Sequence, residues 1–279
     1  MNLELGSFEH NGLSFEGLSL AGVRTSLTLP QFSLCFDVAQ GLPHAIPMNT
    51  FLITHGHMDH AAGIPYLISQ KAMSSHKSPL FVMPKSMVDP LEEIMHQWSK
   101  IEGFKYAYEF RGLTPGEEVA LKNDLHIRAF PTVHRVPSQG YSLYRASRKL
   151  RSDLRSLSQA ELVELRKSGP LPTEEKSELL VSFTGDTQIE FLDLAPEVTK
   201  SKILILETTY LDQRKSIQSA RDWGHTHLDE LLPRLGSIQS EKIILIHSSA
   251  RYSFKEARAL LLDRLPPSEQ DRVVLFPGR

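Results

Sequence analysis

The segment Thr54-His-Gly-His-Met-Asp-His60 packs three histidines and an aspartate into seven residues, directly after an apolar, β-branched run at 50–54. His55 and His57 are two apart, so in extended backbone their rings face the same side. Asp59 and His60 then fall on the turn into a helix expected over 63–74. Neutral imidazoles and carboxylates are the ligands that zinc and similar first-row ions prefer. A strand that ends in this cluster therefore predicts a metal site at the edge of a sheet.

The same arrangement recurs along the chain. Expected strands at 125–130, 179–183, 202–206 and 242–246 run on to His134, Asp186, Glu207 and His247 respectively. Further strands are expected at 33–36, 80–83, 141–144 and 272–276, with helices at 84–100, 154–167, 228–235 and 254–265. Residues 3–36 show no long helical period and predict a strand meander. Alternation of this kind predicts an α/β layered fold, in which loops at one set of strand ends carry the reacting groups. No internal repeat is visible in the sequence.

Composition narrows the field. With 279 residues, 41% of them hydrophobic, the chain is long enough to bury a large core. A net charge of −2 gives no chain-wide positive field, so contact with nucleic acid would have to come from a local patch. Residues 1–15 have neither the basic nor the apolar region of a secretory signal. The longest uncharged stretch, 38–58, holds three histidines and two prolines and does not read as a membrane span. A single cysteine, Cys35, permits no internal disulfide, and the cytoplasm is the expected compartment.

These motifs resemble those of the metallo-β-lactamase superfamily along nearly the whole chain. The resemblance implies one domain over residues 1–279, folded as a four-layer αββα sandwich with two divalent metal ions, zinc being the expected identity. It assigns His55, His57 and His134 to one ion and Asp59, His60 and His247 to the other. Asp186 in Gly185-Asp-Thr187 bridges both, and Asp59 also takes the proton of the attacking water. Asp37 in Cys35-Phe-Asp37 matches a carboxylate that supports the site, although Val38 stands where the family has Gly.

Within the superfamily, His134-Arg-Val-Pro-Ser-Gln-Gly-Tyr141, Glu207-Thr-Thr-Tyr210, Gly224-His-Thr-His227 and His247-Ser-Ser-Ala-Arg-Tyr252 resemble the signatures of ribonuclease Z. That branch implies cleavage of precursor tRNA at its 3′ end by a homodimer. It also implies a dyad in which Glu207 orients His225, which protonates the leaving oxygen. Thr226-His227 replaces the usual Ser-Thr, so His225 and His227 both stand as candidate acids. The family's tRNA-gripping arm maps to residues 145–180. Arg145, Arg148, Lys149, Arg151 and Arg155 are its candidate RNA contacts, and Arg166 and Lys167 add to the positive charge. A solvated amphipathic helix on a long loop is the competing reading of that interval. Among the aromatics at 98–108, core packing is favoured over base stacking. Two further functions stay open: another hydrolase of the superfamily, acting on a nucleotide, small phosphodiester or ester, and a nucleic-acid-binding protein with a vestigial site.

Overall fold

A computed structural model describes residues 5–74, 77–150, 152–154, 157–167, 169 and 173–277. The first sheet runs in chain order: β1 (Gly6–His10), β2 (Leu13–Leu20), β3 (Arg24–Leu29), β4 (Leu34–Phe36), β5 (Thr50–Leu52), β6 (Leu80–Pro84) and β7 (Glu109–Leu113). The second holds β8 (Glu118–Ala120), β9 (Leu125–Pro131), β10 (Gln139–Leu150), β11 (Thr173–Phe183), β12 (Ile203–Glu207), β13 (Lys242–Ile246) and β14 (Val273–Leu275). In each sheet the first three pairings are antiparallel and the last three parallel. The two halves thus share one topology, a repeat that the sequence does not display.

Side chains on successive strand positions explain the layers. On β12, Ile203 and Ile205 point between the sheets, whereas Leu204 and Leu206 point outward. On β13, Ile244 and Ile246 face in, and Ile243 and Leu245 face out. Strands covered on both faces read as unbroken apolar runs, which is why these were legible. Phe36 and Phe183 stack across the inter-sheet core at 4.6 Å. The outer face of the first sheet is covered by α2 (Ile64–Met73) and α3 (Val88–Glu102), through Ile64, Leu67, Ile68, Leu91 and Met95. The outer face of the second is covered by α5 (Phe191–Leu194), α7 (Leu228–Leu231) and α8 (Phe254–Arg264). The result is the expected helix–sheet–sheet–helix sandwich.

Several expectations need correction. β7 and β8 were not foreseen; both are edge strands carrying exposed charged residues, so neither shows an apolar run. The 154–167 helix shortens to α4 (Gln159–Lys167), which buries no residue. The strands leading into and out of the arm are longer than expected: β10 and β11 stay paired out to Leu150↔Thr173. β9 leaves β10 at Arg145, and β12 pairs only with residues 181–183 of β11, so beyond those points no third strand joins the pair among the described residues and it extends as a two-stranded ribbon. Of the aromatics, Tyr106 is buried, but Trp98 and Phe104 are exposed. Among the described residues no helix is long and apolar enough to cross a membrane.

Candidate metal centre

The parallel strands stop at one end of the sandwich, and the ligand candidates sit in the loops there. After β5 the chain passes Thr54, whose backbone N–H and hydroxyl donate to Asp37 at 2.8 and 2.9 Å. His57 then precedes the short helix α1 (Met58–Ala61), which carries Asp59 and His60. Gly185 has φ +62°, and a Cβ there would lie 2.5 Å from Thr54, so glycine is required for Asp186 to enter the cluster.

Four histidines are held by Nδ1 so that Nε2 meets the centre. His60 donates from Nδ1 to Asp37 at 2.8 Å, and His134 donates to the Gly224 carbonyl at 2.8 Å. The Thr54 hydroxyl proton is committed to Asp37, so His55 Nδ1, 3.0 Å away, is the donor to Thr54 Oγ1. By the same logic His247 Nδ1 donates to Thr209 Oγ1 at 3.0 Å, because that hydroxyl donates to Glu207 at 2.9 Å. Such partners fix the tautomer and orientation of a ligand imidazole. Asp37, Thr54, Thr209 and the Gly224 carbonyl are therefore positioning groups. Only Asp37 was foreseen. The threonines had one signal, their place beside Glu207 or a ligand histidine.

One set of ligand atoms comes from His55, His57, His134 and Asp186, another from Asp59, His60 and His247, with all atoms of each set within 4.8 Å of one another. Asp186 joins the two, its oxygens lying 3.8 Å from His55 Nε2, 3.4 Å from His60 Nε2 and 3.3 Å from His247 Nε2. All seven residues expected as ligands converge.

The donor set fits divalent metal. His55 Nε2 and Asp186 Oδ1 are buried without a hydrogen-bond partner among the described residues, which is costly unless a cation is bound there. His60 and His247, both donating from Nδ1, turn their Nε2 lone pairs toward each other at 3.4 Å. Burial pushes His55 well below the ordinary histidine value, the neutral form a ligand needs.

Beside the cluster, Glu207 is fully buried and accepts from His225 Nδ1 at 2.9 Å, from the Thr187 and Thr226 N–H groups, and from Thr209 N–H and its hydroxyl. Burial lowers the His225 pKa, but Glu207 overcomes this and raises it to about 9. His225 also groups with Asp186 and His247, and its ring lies 5.3 Å from that of His134. His227 is elsewhere. It caps α7, accepting from Asp229 N–H at Nδ1 and facing the Asp212 and Lys215 carbonyls with Nε2. With both nitrogens occupied and the ring buried, it has no free proton to offer the cluster.

The arm cations are not brought to this centre. β10 starts at Gln139, next to Ser138, which bridges to His55, and runs toward the opposite end of the sandwich. Leu150 thus lies roughly 36 Å along the strand from Gln139 at about 3.3 Å per residue. Arg145 lies over the Phe32 ring at 5.2 Å. Arg145, Arg148 and Lys149 stand in register with Glu178, Glu175 and Glu174. Arg151 and Arg155 lie outside the described residues.

The chain is similar to known proteins across its length. The family described as Anti-Pycsar protein Apyc1 matches residues 34–168. tRNase Z TRZ1 of Arabidopsis thaliana is 33% identical over 264 residues, 94% of each chain. tRNase Z TRZ2, chloroplastic, from the same plant is 30% identical over 257 residues, 91% of this chain and 72% of that one. Human tRNase Z, short form (ELAC1), matches in structure with a TM-score of 0.60 at 15% identity, covering 94% of this chain and 95% of that one. The metallo-beta-lactamase fold protein YhfI from Bacillus subtilis gives 0.63 at 13% identity with the same coverage. The two solved structures share the fold.

Proposed function

Because this chain belongs to the tRNase Z family and is a metal-dependent hydrolase of the metallo-β-lactamase fold, we propose that it is the endoribonuclease that trims precursor tRNA at the 3′ end, using two divalent ions, with zinc favoured. The observation that carries this reading is the 2.9 Å hydrogen bond between Glu207 and His225 beside a complete seven-residue ligand set. A site built only to bind nucleic acid has no use for that dyad, and a vestigial site would have lost ligands.

His55, His57 and His134 would hold one ion and Asp59, His60 and His247 the other, with Asp186 in reach of both sets. Bound divalent ions supply Lewis-acid stabilisation of the phosphoryl group and of the attacking and leaving oxygens. Asp59, 3.5 Å from His60 Nε2 and 3.6 Å from His247 Nε2, stands at the open side of the ligand set and takes the proton of the attacking water. Glu207 holds Nδ1 of His225, which leaves Nε2–H free to protonate the departing ribose oxygen. A carboxylate-backed imidazole suits that role, since its charged form is stabilised until the proton is transferred. Water attack at phosphorus leaves the phosphate on the downstream fragment and a hydroxyl on the upstream one.

The ribbon leaves the sandwich at the end away from its own ligands, which suits a homodimer in which one chain's arm grips the tRNA cut by the other. We assign the grip to the outer end of that arm, where α4 carries Arg166 and Lys167. The function is tested by offering purified, metal-supplied protein a 3′-extended tRNA precursor, an unstructured RNA of equal length and a cyclic nucleotide. Selective cutting of the precursor supports this reading, and turnover of the cyclic nucleotide alone would replace it.

A further inference from the structure

Two exposed residues at the rim of the centre have no part in the mechanism so far. Arg135 follows His134, and Trp223 stands two residues before His225. The Arg135 guanidinium lies 4.7 Å from the centre of the Trp223 ring, and Trp223 remains 57% exposed. Arg135 pairs with no carboxylate among the described residues. Arg221, two positions from Trp223, is by contrast tied to Glu190 and Glu230. An exposed indole and an unpaired guanidinium stacked together form a surface of the kind that binds an unstacked nucleobase and its phosphate.

The backbone holds this pair in fixed relation to the proton donor. Gly224, φ +78°, lies between Trp223 and His225; a Cβ there would come within 2.6 Å of His134 Nδ1 and 3.1 Å of the Arg135 nitrogen. The two loops touch backbone to backbone, and the Gly224 carbonyl accepts from His134 at 2.8 Å. Given that His225 protonates the leaving oxygen, the ribose bearing that oxygen lies against His225. The base on that ribose is the one within reach of Trp223.

We infer that Trp223 and Arg135 form the binding platform for the nucleotide immediately upstream of the cut, with Trp223 stacking on its base and Arg135 meeting an adjacent phosphate. The inference rests on the ribonuclease reading above. The platform tolerates any base, because every base offers a π-face, and it requires that this nucleotide be unpaired.

The test compares precursor substrates with a normal or an abasic nucleotide upstream of the cut, using wild type, Trp223→Ala, Trp223→Phe and Arg135→Ala. Stacking of this kind is worth about tenfold or more on alanine substitution. Trp223→Ala should therefore lose about that factor in kcat/KM on the normal substrate and discriminate far less than wild type between the two substrates. Trp223→Phe should recover most of the loss, and Arg135→Ala should raise KM on both substrates. A second readout needs no turnover: in a Trp98→Phe background Trp223 is the remaining tryptophan of the two, and a short single-stranded oligoribonucleotide should quench its emission. Equal loss by Trp223→Ala on both substrates, or no quenching, overturns the platform. A wild type that cuts no precursor yet shows quenching overturns the ribonuclease reading, and with it the platform's place beside a cut, while a surface that binds a nucleobase remains.

Discussion

Replacing His225 with alanine should separate two substrates that differ only in how readily their leaving group departs. The imidazole is held by a buried carboxylate at 2.9 Å, and its pKa is raised to about 9, so it carries its proton at neutral pH. General acid catalysis contributes about 10²–10⁴-fold, or roughly 3–5 kcal/mol of barrier. That contribution exists only when the leaving oxygen needs a proton. A ribose alkoxide does, whereas p-nitrophenolate departs without one. His225→Ala should therefore lose the full factor on RNA and less than about tenfold on bis(p-nitrophenyl) phosphate. Glu207→Gln should be milder on RNA, since it removes a charge-assisted hydrogen bond of about 1.5–3 kcal/mol, or roughly ten- to a hundredfold. It should also lower the melting temperature, because Glu207 accepts five hydrogen bonds and an amide would turn an NH₂ group toward some of those donors. Asp186→Ala, which removes the shared ligand, should damage both substrates alike. Parallel initial-rate assays on the two substrates decide the matter. Equal losses for His225→Ala on both would refute the leaving-group role.

Purified wild type should contain about two divalent ions per chain by elemental analysis, whereas His57→Ala should lose metal and activity yet keep its far-UV dichroism, because the sheet core does not involve that ligand. Gly224→Ala should lower metal content as well as activity, since the new Cβ would strike His134 Nδ1, and the left-handed backbone adds about 1–2 kcal/mol of strain. Cys35 is fully buried, and that burial pushes its thiol up to about 12, so native protein should not react with a thiol reagent at about pH 8 and should titrate one thiol after unfolding.

What was legible in the sequence follows from what each element buries. β12 and β13 are apolar throughout because both their faces are covered, and the ligands directly after them could be read from position alone. β7 and β8 could not, because an edge strand such as Glu109-Phe-Arg-Gly-Leu113 carries charges like any loop. The arm misled for a related reason: outside the sheet nothing imposes an apolar alternation, so its polar strands were read as loop and helix. Motif order favours His225 over His227, but what separates the two is ring direction, which no motif encodes. One imidazole bonds Glu207 and the other caps α7. The threonine and carbonyl partners of the ligand histidines escaped notice because their role lies in a proton's direction, not in a motif.

The most direct measurement is the position and chemistry of the cut. A 3′-extended tRNA precursor, labelled at either end and treated with the metal-supplied protein, should be cut once, at the tRNA 3′ end. It should yield an upstream fragment ending in a 3′-hydroxyl and a downstream fragment beginning with a 5′-phosphate. A chelator should stop the reaction, and added divalent metal should restore it. Scattered cuts, an upstream 2′,3′-cyclic phosphate, or cleavage that survives chelation would contradict the account.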